Sequence, residues 1–370
     1  MPKGVNDFQP EDRRRVRTRL LQWYDRAKRD LPWRRRADNP YAQLLAEFML
    51  QQTQVATVIP YYDRFIERFP TVTDLADADI DDVLAHWSGL GYYSRARNLH
   101  RTARAIRDDH AAVVPRTVDA LIRLTGIGRY TAGAIASVAY DVRAPIVDGN
   151  VTRVFMRLLA IDDDPKSPAV QTHLWSVAES LLPRKRTGDF NQALMELGAT
   201  VCTPRSPNCL LCPLNRACEA LRTGKVEQIP RVARRTAVLP QTFIVAAIQR
   251  GDSLLFTQRP NKGLWAGLWE LPSLAVNKGG RKSDAVRQLA QQLTAYGELT
   301  SKPMATVSRQ LTHRKVTFHI YAGQTTGKPS RKRFNQQPTR WLTSNQLPDV
   351  GISRACEAIL RKIEWSPSSA

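Results

Sequence analysis

The stretch Leu124–Val151 of this 370-residue chain reads LTGIGRYTAGAIASVAYDVRAPIVDGNV and decides the fold of the first half. It predicts a helix, a tight turn through Gly126 and Gly128, and a second helix from about Arg129, because glycines allow positive φ between two periodic segments. In such an arrangement the backbone N–H groups of the turn face outward, where they suit a phosphate. The end of the stretch places Asp148 at the entrance of the next helix. The sequence therefore predicts an anion-binding turn, followed along the chain by an acidic residue at the start of a helix.

The composition favours a polyanionic partner. Lys and Arg total 55 against 34 Asp and Glu, which gives a formal net charge of +21, and hydrophobic residues make up 42% of the chain. A basic excess of this size is typical of nucleic-acid binding, and the length suffices for two domains. The sequence has neither a long apolar run nor an apolar N-terminal segment. We therefore expect no membrane contact and a cytoplasmic, nucleoid-associated location.

The N-terminal part follows helical periodicity. Residues 1–10 are expected to form a disordered tail, and apolar residues at helical spacing predict an amphipathic helix over residues 11–31. Asn39, followed by proline, restarts a helix whose polar face includes Glu47. Taken alone, Glu47 is interpreted most simply as a solvated helix glutamate. We expect this helical domain to cover residues 11–229.

A glycine-flexed loop with two adjacent aromatic residues, Tyr92 and Tyr93, precedes a helix rich in arginine. An aromatic tip beside a basic helix suits a protein that opens a base stack. Either tyrosine is equally compatible with a place in the core. The pattern leaves both interpretations open.

Four cysteines are concentrated in one short segment, with the spacing C-x6-C-x2-C-x5-C: Cys202, Cys209, Cys212 and Cys218. Four thiolates so close together suit a metal site in a reducing compartment better than a disulfide framework. The spacing by itself fits either zinc or an iron–sulfur cluster.

The pattern changes after a proline-bounded basic segment, residues 230–240, which we expect to be a linker. Strands are predicted at Thr242–Gln249 and Leu254–Thr257, joined by a hairpin, and again at Val316–Ala322. Helices are predicted near 284–294 and 353–363. Together these elements predict an α+β domain over residues 241–365.

The motifs resemble those of the MutY-type adenine DNA glycosylases of the helix-hairpin-helix base-excision repair superfamily. The resemblance rests on the TGIGRY turn with the following DGN, on AEFMLQQTQV around Glu47, on the cysteine spacing and on GLWAGLWELP near residue 263. It implies two domains: an all-α helix-hairpin-helix glycosylase domain with an iron–sulfur loop at 202–218, and an α+β Nudix-like domain. It also implies one [4Fe-4S] cluster on the four cysteines.

The resemblance implies a monofunctional enzyme that removes adenine opposite 8-oxoguanine or guanine in double-stranded DNA, and we expect it to act as a monomer. Cleavage of the glycosidic bond passes through a cationic sugar, so the site needs an acid at the base and a negative charge near the sugar. Glu47 is expected to protonate adenine at N7 and Asp148 to stabilise the sugar cation. Asn150 is expected to orient Asp148. Tyr130 is a candidate catalytic residue that either takes part in the reaction or packs against the site.

The resemblance also implies the DNA contacts. Gln52 and Tyr92 are expected to fill the gap that the flipped nucleotide leaves. The hairpin residues Thr125, Gly126 and Gly128 would hold the DNA backbone. In the Nudix-like domain the loop that recognises 8-oxoguanine commonly reads Phe-Ser-His, and this chain has Leu311 followed by Thr312 and His313.

Three other functions are considered. An endonuclease III-like lyase would need a lysine at position 130 to form a Schiff base, and the chain has Tyr130 there. A non-catalytic DNA-binding protein would not require both Glu47 and Asp148. A Nudix pyrophosphatase would need clustered glutamates for Mg²⁺, and the helix around Ala285–Leu293 lacks them.

Overall fold

The computed structural model describes residues 8–231, 238–311, 314–325 and 333–365. Their contacts divide the chain into two compact units. The first contains residues up to 76 and from 101 to the linker, and the second contains residues 77–100 together with the C-terminal part. In the described ranges, no helix has the length and apolar character needed to span a bilayer. Most of the expected linker, residues 232–237, lies outside these ranges.

Helices build the first unit. Up to residue 222 the described α-helices are α1 (Pro10–Ala27), α2 (Pro40–Leu50), α3 (Val55–Arg68), α4 (Val72–Asp77), α5 (Ile80–Trp87), α6 (Ser94–Asp109), α7 (Val118–Ile122), α8 (Arg129–Tyr140), α9 (Gly149–Leu158), α10 (Pro168–Leu181), α11 (Thr187–Thr200) and α12 (Glu219–Arg222). Of these, α5 and the first turns of α6 belong to the second unit.

Helix α2 is the central helix of the first unit. It begins as predicted, with the Asn39 side chain accepting a hydrogen bond from the backbone N–H of Ala42 at 3.1 Å and with proline in the first turn. Eight of its eleven residues are buried. A helix that is apolar on nearly all sides lies inside a protein, and Glu47, the one carboxylate on α2, is half-buried on it.

Two features at the N-terminus differ from the prediction. Helix α1 ends at Ala27, not at residue 31, because both the backbone and the side chain of Arg29 turn to Glu196. The expected tail does not extend to residue 10, since Phe8 is 8% exposed and packs into the core beside α1. Residues 1–7 lie outside the described chain.

The core of the first unit is contributed mainly by α1, α9, α10 and α11. It contains large fully buried side chains such as Leu20, Phe155, Leu174 and Phe190. The half-buried Cys202, Cys212 and Cys218 pack against the same cluster. The cysteine loop is therefore attached to the core that also carries α9.

A mixed sheet builds the second unit. Its described strands are β1 (Leu239–Arg250), β2 (Ser253–Gln258), β3 (Trp269–Glu270), β4 (Ser273–Ala275), β5 (Glu298–Leu299), β6 (Ala305–Gln310), β7 (Arg314–Gln324) and β8 (Thr339–Thr343). The predicted hairpin is confirmed by the antiparallel β1–β2 pair, and β1 runs parallel to β7. The remaining pairs are antiparallel.

The two faces of this sheet are covered by different helices. Alternate residues of β1 point to opposite sides: Phe243 joins the cluster around α14 (Arg354–Lys362), and Ile244 joins the cluster around α13 (Lys282–Leu293). Helix α13 carries a single acidic residue, Asp284. The α domain followed by an α+β domain confirms the predicted fold class.

Candidate active site

The first unit contains a cavity of about 460 Å³, called here the first cavity. Its walls come from α2, α8, α9 and α11 and from the segment between α1 and α2. Five residues singled out from the sequence line it: Glu47, Gln52, Tyr130, Asp148 and Asn150. The fold thus brings together residues that are spread over three separate parts of the chain.

Glu47 carries its carboxyl group on the buried helix α2. Burial raises the pKa of Glu47 to about 7, and the negative charge of Asp148 adds to the rise, while a hydrogen bond with Tyr130 opposes it. No described ion pair involves Glu47. A carboxylic acid with a pKa near neutrality is suited to donate a proton at physiological pH.

Asp148 is the N-cap of α9. Its Oδ1 accepts a hydrogen bond of 2.7 Å from the backbone N–H of Val151, and its Oδ2 accepts one of 3.1 Å from the Asn150 amide. Burial raises the pKa of Asp148, but these hydrogen bonds and the charge of Arg153 oppose the rise. Since Glu47 has only the phenol of Tyr130 to stabilise its charged form, Glu47 is the carboxyl group that holds a proton more readily.

Asn150 is itself held on two sides. Its Oδ1 accepts a hydrogen bond of 2.9 Å from Arg153, and its backbone lies against Gly198 of α11. A Cβ on Gly198 would approach the Asn150 Cβ to 2.6 Å, so only glycine permits this contact without a shift. The orientation of the Asp148 carboxylate therefore depends on the packing of α9 against α11.

Tyr130 follows the first residue of α8. Its hydroxyl donates a hydrogen bond of 3.1 Å to Met195 Sδ and also interacts with the Glu47 carboxyl group. Burial and the charges of Glu47 and Asp148 raise the pKa of Tyr130 well above its ordinary value. The phenol stays neutral and cannot form a covalent imine, whereas an amine at this position would face both carboxylates.

The first cavity also contains a third carboxyl group, Glu196, which was not predicted from the sequence. Glu196 of α11 is 1% exposed and accepts hydrogen bonds from Arg29 at 2.6 Å and from Arg34 at 2.9 Å. Burial alone would raise the pKa of Glu196, but the two guanidinium groups outweigh burial and lower it. Arg34 also donates to Gln192 at 3.0 Å. A glutamate inside an otherwise apolar run just before the cysteines was the available sequence signal.

The predicted hairpin turn connects α7 and α8. Gly126 has φ of +82°, as expected, but Gly128 has φ of −94°, which any residue adopts. A Cβ on Gly128 would meet no atom within 4 Å, so neither the backbone nor the packing requires glycine there. Thr125 is exposed, and its carbonyl oxygen accepts a 2.7 Å hydrogen bond from Thr102. The turn leaves an open surface at the start of α8, to which a ligand can approach closely.

Gln52 and Tyr92 share an unusual backbone conformation. Both have positive φ, 57° and 49°. Non-glycine residues rarely adopt this region, and such strain is concentrated at functional sites. Gln52 lines the first cavity, whereas Tyr92 is 41% exposed and belongs to the second unit.

The second unit contains a cavity of about 490 Å³, called here the second cavity. Tyr92, Trp265 and Leu311 line it, with Arg97 and Arg314 as its cationic residues. The predicted recognition residues Thr312 and His313 lie outside the described residues. Leu311 is thus the part of that loop that the structure describes at this cavity.

Two of the four cysteines contact Arg157, which lies in the C-terminal half of α9. Arg157 donates to Cys202 Sγ at 3.4 Å, and Cys218 Sγ donates to the carbonyl oxygen of Arg157 at 3.5 Å. Burial raises the pKa of Cys212 to about 12, and the charges of Cys202, Cys218 and Cys209 contribute to the rise. The thiols are therefore close enough to interact. Within the described ranges, no three His, Cys, Asp or Glu side chains are arranged around a single metal ion.

Comparisons with known proteins give a family match for each of the two parts of the chain. Residues 45–180 match the family model of the HhH-GPD superfamily base excision DNA repair proteins, and residues 244–362 match the NUDIX domain model. The solved structure of a thermostable thymine-DNA glycosylase is 29% identical with a TM-score of 0.52, and it covers 57% of this chain and 97% of that chain.

Similar sequences extend over nearly the whole chain. The adenine DNA glycosylase of Rattus norvegicus is 38% identical over 411 residues, which cover 94% of this chain and 78% of the rat protein. That of Homo sapiens is 37% identical, covering 92% and 72%. That of Buchnera aphidicola subsp. Baizongia pistaciae is 38% identical, covering 93% and 95%.

Proposed function

The chain belongs to the adenine DNA glycosylase family, and we propose that it hydrolyses the glycosidic bond of adenine placed opposite 8-oxoguanine or guanine in duplex DNA. The observation that carries this proposal is the pair Glu47 and Asp148, two carboxyl groups on one cavity with different hydrogen-bond environments. The enzyme is a hydrolase of base excision repair. We propose that it acts as a monomer.

The two carboxyl groups, Glu47 and Asp148, have different roles in the reaction. Glu47, with a pKa of about 7, protonates N7 of the adenine and so improves the base as a leaving group. Asp148, held by Val151 and Asn150, remains ionised and stabilises the positive charge that develops on the sugar. The neighbouring Glu196 is neutralised by two arginines and takes no part in proton transfer. Water then completes hydrolysis.

The product is an intact abasic site. Strand scission by a lyase requires an amine that forms a Schiff base with the sugar. Tyr130 occupies the position where the resembling lyases have lysine, and it faces Glu47 and Asp148. Its neutral hydroxyl fixes the orientation of the Glu47 carboxyl group.

DNA is bound in two ways. The hairpin turn of the protein contacts a DNA phosphate, and protein side chains fill the gap that the flipped nucleotide leaves. We assign a phosphate to the open turn of Thr125, Gly126 and Gly128, where N–H groups at the start of α8 attract an anion. Flipping the adenine out of the duplex costs a few kcal/mol of stacking and pairing. The strained Gln52 and Tyr92 offset part of that cost by replacing the lost stack.

The base opposite the adenine is assigned to the second cavity. Its volume of about 490 Å³ lies in the range of small-molecule pockets. Leu311 lines it. We propose, from the family resemblance alone, that the hydroxyl group of Thr312 and the imidazole of His313 make polar contacts with the lesion.

We further propose that Cys202, Cys209, Cys212 and Cys218 hold one [4Fe-4S] cluster. The donor set fits, because iron–sulfur clusters are bound by four cysteine thiolates. Three of the thiols are half-buried against the core, and Arg157 lies among them. When bound, the cluster fixes the loop of residues 202–218 on the surface. The support is the donor chemistry together with the family.

The test is single-turnover excision on three duplexes: adenine opposite 8-oxoguanine, adenine opposite guanine, and thymine glycol opposite adenine. Each reaction is divided between neutral and alkaline work-up. We expect cleavage of the adenine strand only after alkali, fastest opposite 8-oxoguanine. Scission of the thymine glycol strand at neutral pH would contradict the proposal, and so would a covalent adduct trapped by borohydride. Iron and sulfide content per chain tests the cluster separately.

A further inference from the structure

Trp265 lies in the short loop that joins β2 to β3, and it lines the second cavity. Its φ is +54°, and φ of Tyr92 is +49°. Among the residues that the structure describes, these are the Phe, Tyr or Trp residues with positive φ. A bulky side chain rarely tolerates that conformation. Both of them line the same cavity, so the strained aromatic residues are concentrated at one site.

The loop that carries Trp265 is held firmly. The backbone N–H of Leu268 donates to the carbonyl oxygen of Trp265 at 3.2 Å, and Arg97 donates to the carbonyl oxygen of Ala266. Gly267 N–H donates to Pro260 at 3.1 Å. The loop therefore presents Trp265 in a fixed position rather than on a mobile tip.

The indole ring is also held from the side. It packs against Phe318 with ring centroids 6.0 Å apart, and the Arg259 guanidinium lies 5.9 Å from it. Arg259 forms a 2.7 Å ion pair with Glu270, which accepts a further 2.8 Å hydrogen bond from Ser273. The indole is only half-buried despite these contacts. The protein thus uses a largely buried network to position a partly exposed aromatic surface.

We propose that Trp265 is the surface on which the base opposite the excised adenine stacks. This inference rests on the proposed function. Stacking on an aromatic side chain depends on the shared ring area and not on hydrogen-bonding groups. Guanine and 8-oxoguanine therefore gain equally from Trp265, and a missing base gains nothing. Leu311 lines the same cavity without a ring, so the aromatic area there comes from Trp265 together with Tyr92 and Tyr93.

The experiment measures the binding of duplexes that carry a non-hydrolysable 2′-fluoro adenosine opposite 8-oxoguanine, guanine or a tetrahydrofuran abasic analogue. The proteins are wild type, Trp265→Ala, Trp265→Phe and the control Trp341→Ala. Trp341 is also a half-buried tryptophan of the second unit, stacked under Arg250 at 4.4 Å, but it does not line the cavity. Circular dichroism verifies that each variant is folded.

We expect Trp265→Ala to lower the affinity for both purine duplexes by about tenfold and to leave the abasic duplex unchanged. Trp265→Phe retains most of the affinity, and Trp341→Ala changes none of the three. An equal loss on the abasic duplex, or no loss on the purine duplexes, would overturn the proposal. A changed ratio between 8-oxoguanine and guanine would also overturn it.

Failure of the inference is distinguishable from failure of the proposed function. Wild-type excision of adenine opposite 8-oxoguanine reports the function by itself. If wild type excises adenine but Trp265→Ala and Trp265→Phe bind all three duplexes like wild type, the function stands and the role of Trp265 is wrong. If wild type excises no adenine, the proposed function is wrong.

Discussion

The first and second cavities are similar in size, about 460 and 490 Å³, but opposite in chemistry. The first is lined by carboxyl groups whose protonation is controlled by burial and hydrogen bonds, and by the guanidinium groups of Arg29 and Arg34. The second is lined mainly by aromatic and aliphatic side chains on strained backbone. Proton transfer needs a pKa near the working pH, whereas recognition of a base needs a rigid flat surface. The difference supports the proposal that reaction and recognition take place at separate sites.

A second contrast lies within the first cavity. Glu47 and Glu196 are both on buried helices, yet the pKa of Glu47 is raised to about 7 and that of Glu196 is lowered. Burial acts in the same direction on both. The opposite outcomes follow from the partners, because Glu196 faces two arginines and Glu47 faces a phenol and another carboxylate. Among the residues that the structure describes, Glu47 has no cationic partner, and burial can therefore keep its pKa high.

The largest effect is expected for a substitution of Glu47, which should lower the rate of the reaction without changing the binding of DNA. Glu47→Gln removes the transferable proton and keeps the shape, so single-turnover excision of adenine opposite 8-oxoguanine should fall about 10³-fold, within the usual range for a general acid. Binding of the 2′-fluoro duplex should stay unchanged. Glu67→Gln on the exposed face of α3 is the matched control. A rate near that of wild type would remove Glu47 from its catalytic role.

The pH dependence tests the same group by a different route. The active form of Glu47 is protonated and its pKa is about 7, so the single-turnover rate should be highest below that pH and should fall about tenfold per unit above it. Affinity for the 2′-fluoro duplex should not follow this titration. A rate that stays constant between about pH 7 and pH 9 would contradict the assignment of Glu47 as the acid.

Local patterns were sufficient for much of the fold. A cap residue and a proline located the start of α2, and a cap also located Asp148 at the start of α9. Both signals depend on neighbours in sequence, which is why they could be identified. The hairpin between β1 and β2 was found for the same reason. Strand β6 was missed, because five of its six residues are polar or small and no apolar alternation marks it.

The ion pairs of the first cavity could not be predicted from local sequence patterns. Glu196 and Arg29 are 167 positions apart, and their ion pair exists only because the end of α1 lies against α11. The assignment of residues 77–100 to the second unit likewise depends on contacts such as that of Tyr93 with Ile352, which are 259 positions apart. The strain at Trp265 is a backbone property that residue types do not reveal.

Replacing Tyr92 should give the next largest effect. It tests whether a residue of the second cavity contributes to DNA binding separately from the reaction in the first cavity. Tyr92→Ala removes an exposed ring, so affinity for the 2′-fluoro duplex should fall about tenfold, in the range measured for base–aromatic stacking. Excision at saturating enzyme should fall much less than for Glu47→Gln, because the carboxyl groups of the first cavity are intact. Tyr61→Ala, which removes a partly exposed tyrosine of α3, is the control. A loss of the saturated rate as large as that of Glu47→Gln would mean that the two sites are not separable.

The smallest expected effect concerns the network behind Trp265. Ser273→Ala removes the 2.8 Å hydrogen bond to Glu270, whose pKa burial already raises and whose partner is Arg259. Because hydrogen bonds to charged groups contribute about 1.5–3 kcal/mol, we expect the free energy of unfolding to fall by about 1–2 kcal/mol, since the ion pair remains. Chemical denaturation near pH 7 measures this value.

The stability that Ser273→Ala loses should depend on pH. The direction of this dependence follows from the fact that the Ser273 hydroxyl donates to the Glu270 carboxyl group. A hydroxyl that donates to a carboxylate lowers its pKa, so its contribution to stability is present where Glu270 is ionised and is lost as the pH falls and the carboxyl group becomes protonated. Wild type and Ser273→Ala should therefore converge in stability at acidic pH. If their difference stayed constant with pH, the hydroxyl would be acting through packing rather than on the Glu270 charge. Excision at saturating enzyme should be the same for both proteins, because the network supports the second cavity and not the first.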